Sequence, residues 1–314
     1  MEKSSFFRLE YADDVNAAGR FNMNLWNPKI ALLNSGIDFT NNKFYSYQGF
    51  KLSYENDLTN ALTAKITLKR HLQKALFEYQ FLDYPNSVKD FSTMLTLKYS
   101  PLSKNMMTPS GKITYEQKYP EFYFNYEKGW SALGGDFNYQ RMDFLFAHYF
   151  KTKVGKTNSV LYSGLYTGKS PIWNTFEAGG LYGPSDYPLL ARINFSTYLG
   201  FPTMSSTRFY NDRFVGWYLV HTLPFHFRTV RLGKNPEGIN LLHKGIIGDF
   251  KHPEYHKKIS FEKLNHLYQE AGVEWNNFFG TSFNLGVFYR VGYYQTNDFY
   301  DNIGFQIRWN VFEF

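Results

Sequence analysis

From residue 283 to residue 293 apolar side chains occupy every second position: Phe283, Leu285, Val287, Tyr289, Val291 and Tyr293. After a short turn the pattern resumes with Ile303, Phe305, Ile307, Trp309 and Val311, interleaved with Gly304, Gln306, Arg308 and Asn310. A period of two belongs to a strand, because successive side chains of an extended backbone point to opposite faces. One face of each strand is therefore apolar and aromatic, and the other is small, polar or cationic. Two architectures use such strands: a soluble sandwich, and a membrane barrel with apolar residues toward lipid and polar ones toward a wet lumen.

Composition separates the two. Aromatics make up 20% of the 314 residues, with 26 Tyr and 32 Phe, more than a soluble core requires. Yet the mean hydropathy is −0.44, the value of a polar chain. A helical membrane protein does not combine these, since each span needs about 20 mostly apolar residues, and no such run occurs. A transmembrane barrel does, because only alternate residues meet lipid and aromatic girdles mark both interfaces. The expected fold is thus all-β: an antiparallel up-and-down β-barrel of about 14–16 transmembrane strands, forming a single domain over residues 1–314.

The chain has no cysteine, which excludes disulfides, thiolate nucleophiles and cysteine metal sites. Its net charge of +7 points to an anionic surface or partner. The basic residues are scattered singly rather than in blocks, so nucleic acid is not expected. Outer-membrane lipid and lipopolysaccharide phosphates are the expected targets. Residues 1–11 lack the apolar core of a signal peptide. An exported chain of this kind is expected to be a mature fragment or part of a longer precursor.

Strand candidates follow one another along the chain. They include 4–11, 21–25, 30–39, a hairpin of 44–55 with 62–70, and a second of 76–82 with 91–99. Residues 100–117 read as a loop. Further strands are expected over 122–126, 137–150 and 160–166, then 210–223, 238–250, 267–279, 282–294 and 302–314. The one long irregular segment, 167–209, holds nine Gly and Pro residues but also Trp173, Phe176, Tyr182, Phe195 and Phe201. Long loops inside compact units are commonly functional, and this aromatic content opposes disorder. It is expected to fold into the lumen as a gate.

In 267–279 one face carries Ala271, Val273 and Trp275, and the other Tyr268, Glu270, Gly272 and Glu274. Glu270 and Glu274, with Arg290 and Arg308 on the next strands, are the expected lumen-lining residues and would pair across it. Strands 210–223 and 238–250 alternate poorly and give no face assignment.

Several short motifs, in order, resemble an uncharacterised outer-membrane barrel family of Gram-negative bacteria, whose members usually carry a carboxypeptidase-regulatory-like sandwich ahead of the barrel. They are KYPE at 118–121, GGDFNY at 134–139, GLYTGKSP at 164–171, FYNDRFV at 209–215, HPEYH at 252–256, YQEAG at 268–272 and VFYRVG at 287–292. The resemblance covers roughly residues 110–314 and implies an outer-membrane location without a settled activity. More distantly, the layout is similar to the barrels of outer-membrane assembly and two-partner secretion, which fold a long loop into a 16-stranded lumen. That loop carries an Arg-Gly tip, which this chain lacks. Arg192, Arg208, Asp212 and Arg213 are the gate residues that stand in its place. The resemblance also makes the C-terminal aromatics, Trp309, Phe312 and Phe314, a signal for the barrel assembly machinery.

His252, Glu254 and His256 fall at i, i+2 and i+4, on one face if the segment is extended, and form a weak candidate for a divalent metal. His221 is the base that a membrane-embedded hydrolase would use, but no G-x-S-x-G element accompanies it. Catalysis is not expected, nor any cofactor. The expected role is passage or assembly of an unknown cargo through a loop-plugged lumen, in transport, secretion or outer-membrane assembly. The alternative is a soluble or surface β-sheet protein that binds glycans through Tyr and Trp.

Overall fold

A computed structural model describes residues 5–19, 41–108, 111–182, 193–195, 199–228 and 235–309. Twelve strands run antiparallel, each hydrogen-bonded to its sequence neighbour in the sheet: β1 (Ser5–Ala17), β2 (Phe44–Asp57), β3 (Leu62–Ala75), β4 (Ser87–Tyr99), β5 (Glu121–Gly129) and β6 (Asn138–Thr152), then β7 (Gly155–Lys169), β8 (Arg213–Thr222), β9 (Gly238–Asp249), β10 (Tyr268–Asn276), β11 (Phe283–Val291) and β12 (Ile303–Trp309). The short strand Ile193–Phe195 adds parallel to the far side of β12. Among the described residues no helix is long and apolar enough to cross a membrane, which says nothing about strands.

The all-β antiparallel meander agrees with the sequence. The expected closed barrel of 14–16 strands differs from what is described. The sheet's edges are β1 and Ile193–Phe195, and no pairing joins them among the described residues. The strands expected over 21–25 and 30–39, and the end of the last strand, lie outside those residues. The hairpin expected from 76–82 is also replaced. Strand β3 runs on to Ala75 and pairs with β4 directly, leaving 76–86 as a loop. The expected loop 100–117 contains a hairpin, Lys104–Thr108 with Gly111–Glu116.

The sheet is inverted relative to a water-soluble one. On β3 the covered face carries Thr63, Thr67, His71 and Gln73, while Ile66, Leu68 and Leu72 are exposed. On β11 Asn284 and Arg290 are buried, while Phe283 and Val287 are 41% and 49% exposed. The covered face buries Asp90, Glu121, Glu127, Arg141, Asp143, Lys244, Glu270, Glu274 and Arg308. Charged side chains are almost never buried without partners, because desolvation costs too much. Such a face needs its own hydrogen-bond network and the shelter of something laid over it.

That cover is the long segment between β7 and β8. Ile172, Phe176, Ala178, Leu181, Phe201, Phe209 and Tyr210 are fully buried in one cluster with Tyr123, Tyr139, Tyr162, Phe214, Tyr218, Ile246 and Tyr268 of the sheet. The segment reaches distant strands. Trp173 Nε1 donates to Gln73 Oε1 on β3 at 2.8 Å. At Gly304 on β12 a Cβ would stand 2.5 Å from the Pro202 carbonyl oxygen, so only glycine admits the segment there. In a flat sheet β3 and β12 would lie about 40 Å apart. The loops after β3 and β9 also meet, with Gln80–Phe81 pairing to His256–Lys257. The sheet therefore curls around the segment, polar face inward.

This arrangement explains the poor alternation of β8 and β9. Where aromatic residues of the segment cover the inner face, that face is apolar too: Phe214 and Tyr218 on β8 and Ile246 on β9 are buried, opposite exposed Val215, Leu241 and Ile247.

Candidate functional site

Glu270, Glu274, Arg290 and Arg308 all lie on the covered face, on three adjacent strands. They do not form one quartet. Arg308 grips Glu274 with Nε–Oε2 at 3.0 Å and Nη2–Oε1 at 2.5 Å. Asn240 and Asn284 also donate to Glu274 Oε1, at 2.8 and 3.3 Å. Glu270 instead serves the segment laid over the sheet, accepting from Thr203 N at 2.9 Å and Thr203 Oγ1 at 2.5 Å. Arg290 turns toward the β11–β12 loop, donating to Asn302 Oδ1 at 3.2 Å and the Asp301 carbonyl at 2.6 Å.

Sequence reasoning missed Lys244. It lies directly opposite Glu270, which lies opposite Arg290, so three charges cross three strands in one row. Lys244 Nζ donates to the Gly200 carbonyl at 2.7 Å and sits 4.6 Å from the Phe288 ring centroid. The row was available only from register, on a strand whose faces the sequence left open.

A second network on β3–β6 was missed as well. Lys69 Nζ lies 2.5 Å from Glu127 Oε1, which also accepts from Ser92 Oγ at 2.9 Å and Tyr139 OH at 3.1 Å. Ser92 and Tyr139 donate in turn to Asp90, at 3.2 and 3.1 Å. Beside it the Arg141 guanidinium stands 4.4 Å from the centre of the Phe176 ring. The segment is thus held from two sides, Phe176 on Arg141 and Thr203 on Glu270.

Glu177 organises the segment from within. Its carboxylate accepts the backbone N–H groups of Gly179 at 2.7 Å, Gly180 at 3.3 Å and Thr207 at 3.2 Å. Its own N–H donates to the Gly19 carbonyl. A Cβ at Gly19, which has a φ of +79°, would meet that nitrogen at 2.7 Å. Burial pushes the Glu177 carboxyl up to about 7, against the pull of the three N–H donors and Lys43.

Of the residues expected at a gate, Arg208 and Asp212 lie at the end of the segment and Arg213 opens β8. Arg208 forms a bidentate pair with Glu262, at 2.9 and 3.0 Å. Asp212 accepts the Lys251 N–H at 2.6 Å, and Arg213 pairs with Asp249. The first two tie the segment to the β9–β10 loop, and the third joins register partners on β8 and β9. Arg192, Phe312 and Phe314 lie outside the described residues. Trp309 closes β12 opposite Phe283.

His252, Glu254 and His256 do not converge. Residues Pro253–Tyr255 form a 3-10 turn, so the segment is not extended as the spacing supposed. His252 Nδ1 lies 2.8 Å from Glu254 Oε1 at the surface. His256 turns inward, with Nδ1 2.7 Å from Tyr79 OH and its ring against Phe81, Phe250 and Phe261. Burial lowers its pKa to about 3. Among the described residues no group of three or more His, Asp or Glu side chains is placed to hold a metal ion. His221 lies beside the β6–β7 turn, with its two nitrogens 2.8 Å from Thr157 Oγ1 and 3.0 Å from the Val154 carbonyl oxygen.

Fold and site together define an all-β antiparallel meander with its ionic residues on the covered face and its apolar residues on the exposed one. Residues 18–173 match the C-terminal domain of a family of unknown function (DUF5686). The match supports an uncharacterised family, and it lies mainly in the N-terminal half, whereas the motifs quoted above run from about 110 to the end. The two overlap across KYPE, GGDFNY and GLYTGKSP. A search of curated proteins finds no match.

Proposed function

We propose that this chain is a transmembrane β-barrel domain of a Gram-negative outer membrane, with its lumen closed by the segment between β7 and β8. The observation that carries this reading is the inversion. Val273 and Val287 are about half exposed, while their strand neighbours Glu274 and Asn284 are fully buried. In water the arrangement leaves a broad apolar surface uncovered. In a bilayer the same surface is solvated by acyl chains, and the ionic face lines a polar interior. Length supports it: β2 and β3 have 14 residues, and β6 and β7 have 15, against the 9–11 or so needed to span.

The turns 58–61, 153–154 and 277–282 are short and lie at one end of the sheet with the longer connections 100–120 and 223–237; the connections 76–86, 170–212, 250–267 and 292–302 lie at the other. Within this reading the segment is a plug rather than a loose gate, because it is cored into the sheet and tied by Glu270, Arg141 and Glu177. Passage or assembly of a cargo requires that plug to move.

The test is a heat-modifiability gel on the chain refolded in detergent micelles. A mobility shift on boiling is expected. A soluble monomer that needs no detergent and shows no shift would overturn the reading.

A further inference from the structure

We propose that a cavity between the end of β7, the start of β8 and the β9–β10 loop binds a hexuronate, a sugar ring that carries one carboxylate. The site stands on the geometry of these connections and does not need the membrane reading above.

The cavity has a volume of about 350 Å³, near the lower end of small-molecule sites, which run from roughly 300 to 1,000 Å³. Leu165, Phe250 and Tyr255 give it apolar wall, and Lys169, Asp212, Lys251 and His256 give it polar groups. The Tyr255 ring stacks on His252 at 4.7 Å between centroids, and Lys169 Nζ stands 5.4 Å from its centre. The strand end and the loop are therefore already in contact around the opening.

His256 is the group that asks for a ligand. It is 8% exposed, and its ring packs against Phe81, Phe250 and Phe261. Its Nδ1 lies 2.7 Å from Tyr79 OH, which accepts the Ile172 N–H at 2.9 Å. That hydroxyl has no other acceptor among the described residues, so its hydrogen goes to Nδ1. His256 is neutral in the fold, and a neutral imidazole whose Nδ1 accepts carries its hydrogen on Nε2. No described residue accepts from Nε2, and the cavity is the open space beside this ring. A donor left unpaired in so buried a place is costly, and an oxygen in the cavity would satisfy it.

The charges narrow the class. Arg213 is matched by Asp249, and His252 is engaged by Glu254. That leaves Lys169 and Lys251 against Asp212 on the cavity wall. Neither ammonium forms an ion pair with a described residue. Asp212 accepts the Lys251 N–H at 2.6 Å and keeps lone pairs for hydroxyl donors. One surplus positive charge suits a ligand with one negative charge. A bare carboxylate or phosphate would bring only acceptors to Asp212, and an apolar molecule would leave the Nε2–H unpaired. A hexuronate offers hydroxyl hydrogens to Asp212, an oxygen to Nε2–H, its carboxylate to the ammonium groups and a C–H face to Leu165, Phe250 and Tyr255.

The experiment titrates the chain, folded in detergent micelles, with D-glucuronate, D-glucose and acetate by calorimetry. Glucuronate is expected to bind about tenfold more tightly than glucose, the worth of one charge-assisted hydrogen bond. Acetate is expected not to displace it at equal concentration. Lys169 and Lys251 are exposed, so K169Q/K251Q keeps the fold; it is expected to lower glucuronate to the level of glucose and leave glucose unchanged. Asp212→Asn is expected to weaken both sugars, and K151Q/K153Q, at the opposite end of the sheet, to weaken neither. Equal binding of glucuronate and glucose, displacement by acetate, or a preference that survives K169Q/K251Q would overturn the proposal. A chain that folds without detergent removes the membrane reading and leaves this titration intact, whereas a heat-induced mobility shift with no sugar bound removes this site alone.

Discussion

Arg308 on β12 reaches across β11 to Glu274 on β10 and closes a two-point ion pair on it, with both side chains almost fully buried. On the other side of the same strand Val273 is half exposed. This contrast across one peptide unit states the inversion in its smallest form.

Breaking the pair from one side leaves a buried charge without its partner. Arg308→Met is expected to cost about 3–5 kcal/mol, because Glu274 then stays desolvated without its two-point partner. The double change Glu274→Gln with Arg308→Met is expected to recover most of that loss. Urea unfolding of the refolded protein, followed by loss of the mobility shift, measures both.

Glu177 gives the segment a dependence on pH. Its carboxyl sits at about 7 in the fold against an ordinary 4.5, so the folded form holds the proton more tightly than the unfolded chain does. The resulting stabilisation is complete below about 4.5 and is lost as pH rises through 7. Proteolysis of residues 170–211 is expected to quicken between pH 5 and pH 8. Glu177→Gln is expected to flatten that rise while costing about 1 kcal/mol at low pH for a lost backbone hydrogen bond. A rise of equal steepness in the variant would exclude Glu177 as its source.

His256 acts in the opposite direction. It is neutral in the fold, with a pKa near 3 against 6.5 when free, because it is buried among Phe81, Phe250 and Phe261. The unfolded chain takes up the proton first, so this contribution is complete above about 6.5 and is lost as pH falls toward 3. His256→Phe removes the titration. The acid limb of a stability-versus-pH curve is expected to become shallower, even though the hydrogen bond to Tyr79 is lost.

Tyr79 joins three parts of the molecule, with its hydroxyl 2.9 Å from the Ile172 nitrogen and 2.7 Å from His256 Nδ1. Nearby, Gln80 and Lys257 are register partners across two loops. As the chain has no cysteine, Gln80→Cys with Lys257→Cys is a clean probe of this closure. Rapid disulfide formation under mild oxidant is expected, seen as a gel shift that reductant reverses. A pair that stays reduced would show the two loops apart.

Much of the fold was legible in the last three strands. Phe283 to Tyr289 and Ile303 to Ile307 alternate cleanly because only one of their faces is apolar, and Glu270, Glu274, Arg290 and Arg308 stood out on the other. The covering segment was legible as a folded unit from its aromatics, but its partners were not. Gln73, Arg141 and Glu270 are far from it in sequence, and only the curl of the sheet brings them near. Where its aromatics touch β8 and β9 they make the inner face apolar and erase the alternation, which hid Lys244. The spacing of His252, Glu254 and His256 misled because Pro253 opens a 3-10 turn that sends His256 inward.

The most direct test of the inversion places spin labels, one at a time, at Val273, Val287, Ile66 and Leu161 of the chain refolded in phospholipid vesicles. Their collision rates with oxygen, which concentrates in lipid, are then compared with those for a water-soluble nickel chelate. All four positions are expected to favour oxygen strongly, as acyl chains cover them. Free access of the nickel chelate to all four would contradict the account and leave these valine and leucine faces exposed to water.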